Sequence, residues 1–278
     1  MLKTKKICLI IAIAFWSNNA VALEKVELQL RWHHQFQFAG YYAALEKGFY
    51  RDVGLDVELI EGQPDKKPVT QVLNGQASYG VGNSEVLLKR LQGSPLVALA
   101  AIFQHSPSVL ITKDSSHIST PHELIGKNVM MMSNQLDADF IAMFHNENIN
   151  PSQINIMPSS YDINDLANDK IDVFNAYISN ETYYLTQPGI KYGIINPKHY
   201  GVDFYSDILF TSENELRHHS KRVIAFRQAS LKGWEYALDH PKEIIELLLN
   251  KYHVDKTEEH LSFEAKSVRD LIDRKSVV

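Results

Sequence analysis

Cysteine is nearly missing from this chain: Cys8 is the only one among 278 residues. It lies inside the apolar stretch from Ile7 to Trp16, within what reads as a leader, so cleavage would remove it. A mature chain without cysteine has no disulfide, no thiol nucleophile and no thiolate metal site. Long hydrophobic runs are missing too. The ten residues from Ile7 to Trp16 are too few to span a bilayer. Ile244 to Leu249 is shorter still and flanked by charge. Positive charge is in deficit, with 28 lysines and arginines against 33 acids. Internal repeats and low-complexity tracts are absent. So are G-x-S-x-G, a phosphate-cradling G-x-x-x-x-G-K-S/T and H-E-x-x-H, the local signatures of common hydrolases, nucleotide enzymes and zinc proteases.

What is present begins with a secretory pattern. Lys3, Lys5 and Lys6 precede the apolar core, and Ala20-Val21-Ala22 supplies a small-x-small cleavage site. Residues 1–22 are therefore expected to be a cleaved signal peptide, with Leu23 as the new N-terminus and the periplasm as the destination. Cys8 sits inside the core rather than at its end, which argues against a lipoprotein anchor. Cleavage removes three lysines and no acid. It leaves 256 residues with 25 basic and 33 acidic side chains, a formal charge of −8. That balance disfavours nucleic acid and anionic lipid as partners. The length allows one large or two ordinary lobes resting on apolar cores, without disulfide staples.

The most informative stretch is Val26 to Gly62. Val26, Leu28 and Leu30 alternate with Glu27, Gln29 and Arg31, and Leu55, Val57 and Leu59 alternate with Asp56 and Glu58, which predicts two strands. Ala39 to Lys47 between them is helix-forming, with Gly48 as its C-terminal stop. Strand, helix, strand over this span is a βαβ unit, so the strands are expected to be parallel. Alternating strands and helices continue downstream. Leu96 to Phe103 reads as a strand buried on both faces. Val109–Thr112, Lys127–Met132, Ile154–Met157 and Ile171–Tyr177 read as further strands, Leu136–Asn146 as a helix, and the chain beyond Ser220 as helical. The expected class is α/β with parallel-type sheets. Residues 111–210 read as a lobe inserted into a discontinuous first lobe, 23–110 plus 211–278. Two crossings between lobes would form a hinge beside an interlobe cleft.

Trp32 with five residues before Phe38-Ala39-Gly40-Tyr41-Tyr42, then Glu46-Lys47-Gly48-Phe49-Tyr50, Gly54-Leu55-Asp56-Val57 and Asn74-Gly75 through Tyr79-Gly80-Val81-Gly82, together resemble one family. It is the thiamine-pyrimidine-precursor solute-binding and pyrimidine-synthase-like family, related also to alkanesulfonate-binding proteins. The resemblance covers residues 26–250. It implies the two-lobed periplasmic binding protein (type II) fold and capture of a small planar nitrogen heterocycle for an ABC-type transporter. It also leaves a second role, the extracytoplasmic sensor lobe of a longer signalling protein. The corresponding partner is a membrane permease or a downstream signalling domain. The enzyme branch implies a cysteine-rich iron-binding run, a lysine carrying pyridoxal phosphate and a donor histidine. Here Val202–Ser206 holds no cysteine, Asn83 stands in the lysine's place and Leu87 in the histidine's. A binding protein without cofactor or metal is therefore expected, not a synthase.

Candidate ligand contacts follow from position. Open α/β folds bind ligands at the carboxyl ends of their strands. Trp32 offers a stacking face there, with Gln35 and Tyr42 nearby, one of Tyr41 and Tyr42 being buried. His33 and His34 are neighbours in sequence, a poor arrangement for holding one metal ion, and read as solvated. Asn83 and Ser84 follow the strand ending at Gly82, where Ser84 alternatively caps the helix. Glu85 sits in the first helical turn, able to accept from an aminopyrimidine. From the inserted lobe come Tyr177, Asn180 and Glu181, after the strand ending near Phe174. Tyr205 and Asp207 sit at the return crossing, where they can close on a ligand.

Overall fold

Residues 22–63, 66–132 and 137–272 are described by the structure, a computed structural model. Residues 1–21 of the expected leader lie outside them. Two five-stranded sheets organise the chain. The first contains β1 (Glu24–Gln29), β2 (Leu55–Ile60), β3 (Tyr79–Gly82), β4 (Leu96–Phe103) and β10 (Ser206–Ser212), in the order β2-β1-β3-β10-β4. The second contains β5 (Ser108–Lys113), β6 (Asn128–Met131), β7 (Asn155–Pro158), β8 (Val173–Tyr177) and β9 (Tyr192–Ile195), in the order β7-β6-β8-β5-β9. The helices are α1 (Ala39–Glu46), α2 (Phe49–Asp52), α3 (Pro68–Leu73), α4 (Glu85–Leu91), α5 (Ala138–Asn146), α6 (Asn164–Ala167), α7 (Glu181–Thr186), α8 (Glu213–His218), α9 (Ser220–Asp239), α10 (Pro241–Asn250) and α11 (Glu258–Leu271).

The βαβ reading of the first stretch holds. β1 and β2 are parallel, with Val26 opposite Val57 and Leu28 opposite Leu59. The sheets as wholes are mixed. β10 runs antiparallel to β3 and β4, and β5 runs antiparallel to β8 and β9. These two exceptions are the strands that follow the crossings, 104–107 and 196–205. A strand entered by crossing from the other sheet has no helical return to align it parallel. β4 also departs from expectation. It is an edge strand, and from Val97 to Ala101 no side chain is fully buried. Its alanines make the run hydrophobic without making it bulky, so the apolar pattern overstates the burial.

The first half is built around α1, whose run Ala39-Gly40-Tyr41-Tyr42-Ala43-Ala44 is buried throughout. Small residues let α1 approach α9 closely, and Trp234 of α9 lies against Gly40. Tyr41 and Tyr42 are both fully buried, so neither reaches the cleft. In the second half two apolar layers cover the faces of the sheet. Leu110, Val129, Phe140 and Phe144 belong to one and Val109, Ile111, Leu166 and Phe174 to the other. The crossings are tied together at the surface, where His105 Nδ1 lies 2.9 Å from Asp203, which also lies 3.5 Å from Lys198 Nζ. No helix among the described residues is long and apolar enough to cross a membrane.

Candidate functional site

The carboxyl ends of β1 and β3 face those of β6 and β8 across a cleft. β1 hands the chain to the turn containing Arg31 and Trp32. That turn is pinned from outside: Gly62 N donates to Trp32 O at 3.0 Å. A side chain at 62 would collide with Trp32 N and lie 2.6 Å from Leu30 O, so glycine there is a condition of Trp32's position. From the other side Tyr161 reaches over. Its φ of +61° lies in the left-handed region, unusual for a bulky residue and costing about 1–2 kcal/mol. Tyr161 N donates to Ser159 Oγ at 3.2 Å. The result is a ring pair between the two halves, Trp32 and Tyr161, with centroids 5.1 Å apart and planes tilted by 41°.

Behind this pair lies a cavity of about 90 Å³. On the scale where one water needs roughly 10–15 Å³, that is room for roughly six to nine non-hydrogen atoms. One wall carries Arg31, whose guanidinium carbon stands 5.0 Å from the centroid of the Tyr177 ring opposite. The Asn83 amide is wedged between Arg31 and Glu85. Its oxygen is oriented to accept from Arg31 Nη2 at 3.0 Å and its nitrogen to face the carboxylate. The opposite wall carries Asn175, whose Oδ1 is buried and has no partner among the described residues. A buried acceptor without a donor is costly, of the order of 1–3 kcal/mol. A ligand N–H placed there removes that cost.

The floor is a directed hydrogen-bond chain. Lys256 Nζ donates to Gln35 Oε1 at 2.6 Å, Gln35 Nε2 donates to Gln37 Oε1, and Gln37 Nε2 donates to Asp207 Oδ1 at 2.7 Å. Ser206 Oγ donates to Asp207 Oδ2 at 3.2 Å and lies 3.3 Å from the Tyr177 hydroxyl. A cation at one end and a carboxylate at the other fix which way each glutamine amide points. Lys256 also donates to Asn180 Oδ1 at 2.6 Å and to Glu264. It thereby joins the first half to the second. A further bridge runs from Ser84 Oγ to Asp139 at 3.3 Å.

Burial dominates the titration of this region. Glu181 is pushed up to about 7 by loss of water, with Lys256 pulling against the shift. Its oxygens accept from Tyr177 N at 2.7 Å and Asn180 Nδ2 at 2.6 Å. Asp207 is pushed up to about 6, again by burial, with Arg31 opposing. For both, the folded value lies above the unfolded one. Between the two values the folded state binds more protons, so their contribution to stability falls as pH rises. His260, pushed down to about 4 by burial, works the opposite way below neutrality. Glu181→Gln removes the Glu181 contribution alone. Relative to that variant, the wild type should lose about 1–3 kcal/mol of unfolding free energy between pH 5 and pH 8. Denaturant titrations at both pH values check this, and parallel stability curves would contradict it.

Of the expected contacts, Trp32, Gln35, Asn83, Tyr177, Asn180 and Glu181 meet around the cavity. The five others lie behind it or outside it. Tyr42 is buried in the first core, its hydroxyl 2.7 Å from His34 Nδ1. Ser84 makes no helix cap and bridges to Asp139 instead. Glu85 is buried beneath Asn83, accepting from its backbone N–H at 2.9 Å. Asp207 supports Gln37 from below. Tyr205 does not close on the cavity, since it is 59% exposed on the crossing. Leu87, in the place of a synthase histidine, is 60% exposed on α4. Sequence reasoning passed over Arg31, Tyr161 and Lys256 as contacts. Arg31 had a signal, as the last polar residue of the β1 alternation. Lys256 had none, because it reaches Gln35 across 221 residues.

Two mixed α/β sheets facing one cleft define the periplasmic binding protein fold. Escherichia coli SsuA, a periplasmic aliphatic sulphonate binding protein, matches with a TM-score of 0.65, 11% identity and coverage of 91% of this chain and 84% of its own. The alkanesulfonate-binding SsuA of Xanthomonas axonopodis pv. citri, solved with MOPS, gives 0.67 at 11% identity, covering 89% and 85%. The desulfurization enzyme DszB also shares the fold, with a TM-score of 0.57, 13% identity and coverage of 89% of each chain. The chain belongs to the NMT1/THI5 like family, whose model matches residues 35–244. It is 24% identical to a formylaminopyrimidine-binding protein of Halalkalibacterium halodurans, over 88% of this chain and 78% of that one. It is 22% identical to the riboflavin-binding protein RibY of Chloroflexus aurantiacus, over 84% and 68%. Both of these relatives are named as binding proteins for small molecules, whereas DszB is an enzyme of the same fold.

Proposed function

We propose that this protein captures a small planar nitrogen heterocycle of the thiamine-pyrimidine type in the cleft and presents it to an ABC-type membrane permease. Its place is then the periplasm, reached by cleavage after Ala22. The expected bounds at 110/111 and 210/211 would cut β5 and β10, so the lobes are taken as 23–103 with 206–272, and 108–195, hinged at the two crossings. The observation that carries the reading is the cavity itself. It is one ring in size and closed by the Trp32–Tyr161 pair. Asn175, whose Oδ1 has no partner among the described residues, lines its wall, and the carboxylate of Glu181 is a second acceptor there. Formylaminopyrimidine, named for one relative, is such a single flat, donor-bearing ring; riboflavin, named for the other, is flat and donor-bearing but three rings wide. A signalling role would use the same cleft, and no observation on the site favours it.

Calorimetric titration of residues 23–278 with 4-amino-5-hydroxymethyl-2-methylpyrimidine, thiamine, riboflavin and alkanesulfonates tests the reading. One-to-one binding of a heterocycle, with alkanesulfonates silent, is expected. Binding of alkanesulfonates alone would overturn it. Trp32→Ala and Tyr161→Ala should each weaken that binding by about 1 kcal/mol or more, several-fold in Kd, without unfolding the protein. Unchanged affinity in both variants would remove the ring pair from the site.

A further inference from the structure

A second, larger chamber of about 660 Å³ adjoins the inner cavity on the solvent side. The two share Trp32, Gln35, Tyr161, Asn180 and Glu181, so they are compartments of one cleft. We propose that the ligand has two parts: a single planar ring in the inner cavity, and a polar substituent, neutral or cationic but not phosphorylated, in the outer chamber. This rests on the reading of the cleft as a heterocycle site.

Size gives the first half of the argument. The inner cavity has room for a substituted ring and little else. The outer chamber is several times larger and is lined by groups that suit a polar chain. Charge gives the second half. The outer lining contains the carboxylates of Glu61, Asp162 and Asp255, with Glu181 at the partition. Glu61 Oε1 accepts from His34 N at 2.9 Å and lies 3.4 Å from His33 Nδ1. Asp162 Oδ1 accepts from Asn164 N at 2.9 Å and from its side-chain amide at 2.8 Å. Neither contact brings a full positive charge. Lys256 is the only lysine or arginine in the described lining of this chamber. Its three donors are taken by Gln35, Asn180 and Glu264, and the last cancels its charge. A phosphate ester entering here would meet three carboxylates and no cation with a free donor. Like charges in a partly desolvated cleft repel more strongly than in bulk water.

The test uses 4-amino-5-hydroxymethyl-2-methylpyrimidine, thiamine and thiamine monophosphate, titrated calorimetrically at pH 8, where histidine side chains are neutral. Thiamine is expected to bind at least tenfold tighter than the pyrimidine alone, and its monophosphate at least tenfold weaker than thiamine. In Asp162→Asn/Asp255→Asn the phosphate penalty should shrink several-fold, as it should on raising salt in the wild type. Equal affinity for pyrimidine and thiamine, or binding of the pyrimidine alone, overturns the two-part ligand and leaves the heterocycle reading standing. Equal affinity for thiamine and its monophosphate overturns the charge rule. Silence from all three, with riboflavin silent as well, defeats both readings together.

Discussion

Gly233→Ala should destabilise the protein by about 3 kcal/mol or more, at the upper end of what overpacking costs. α1 and α9 cross where Gly40 and Gly233 meet. A Cβ at 233 would collide with the Gly40 carbonyl oxygen and stand 2.7 Å from Ala44 Cβ and 2.8 Å from Ala44 N. None of these atoms belongs to a flexible side chain, so only a shift of one helix relieves the clash. That shift would open the packing around Trp234, which is fully buried. The control is Gly75→Ala. Gly75 has a φ of +71° but open space around it, so only backbone strain of roughly 1–2 kcal/mol is expected. Urea titrations compare the two, and a Gly233→Ala midpoint equal to wild type would contradict the packing argument.

Lys256→Met should cost about 3–5 kcal/mol, because it strands the Glu264 carboxylate. Lys256 is 10% exposed and Glu264 2%, so water cannot replace the lost partner. Burial already pushes Glu264 upward, and Lys256 is the main opposing influence. Without the lysine the folded value climbs further above the unfolded one, so the loss should be greater at pH 8 than at pH 5. Glu264→Gln added to Lys256→Met should restore part of the stability at pH 8. The variant also releases Gln35 and Asn180 and with them one tie between the halves. An equal loss at both pH values, unrelieved by Glu264→Gln, would assign the effect to packing alone.

What could be read beforehand divides along physical lines. The βαβ unit was legible because alternation and helix-forming runs are local signals. That Trp32, Tyr177 and Glu181 would meet at one cleft was legible because they lie at or just beyond the carboxyl ends of β1 and β8, where α/β clefts lie. Tyr42 misled, since an amphipathic aromatic beside a cleft motif says nothing about which way its helix turns. The run Ala39–Ala44 of α1 is buried on every face, with α9 packed against it. β4 misled because alanine counts as apolar in a pattern whether or not it is buried. Tyr161 was not legible, as its position depends on a left-handed backbone in a loop. Lys256 was not legible either. Its partners Gln35, Asn180 and Glu264 come from three distant segments, and only tertiary assembly brings them to one ammonium group.

The central claim, a flat ring seated beside Trp32, can be tested with the protein's own fluorescence. Residues 23–278 contain two tryptophans, Trp32 at the cavity and Trp234 in the core. Titration with the heterocycle that calorimetry identifies should give saturable, one-to-one quenching. In Trp32→Phe that quenching should vanish while calorimetry still records binding, because the ring remains and only the fluorophore is lost. Quenching of equal size in Trp32→Phe would place the ligand near Trp234 instead and contradict the account.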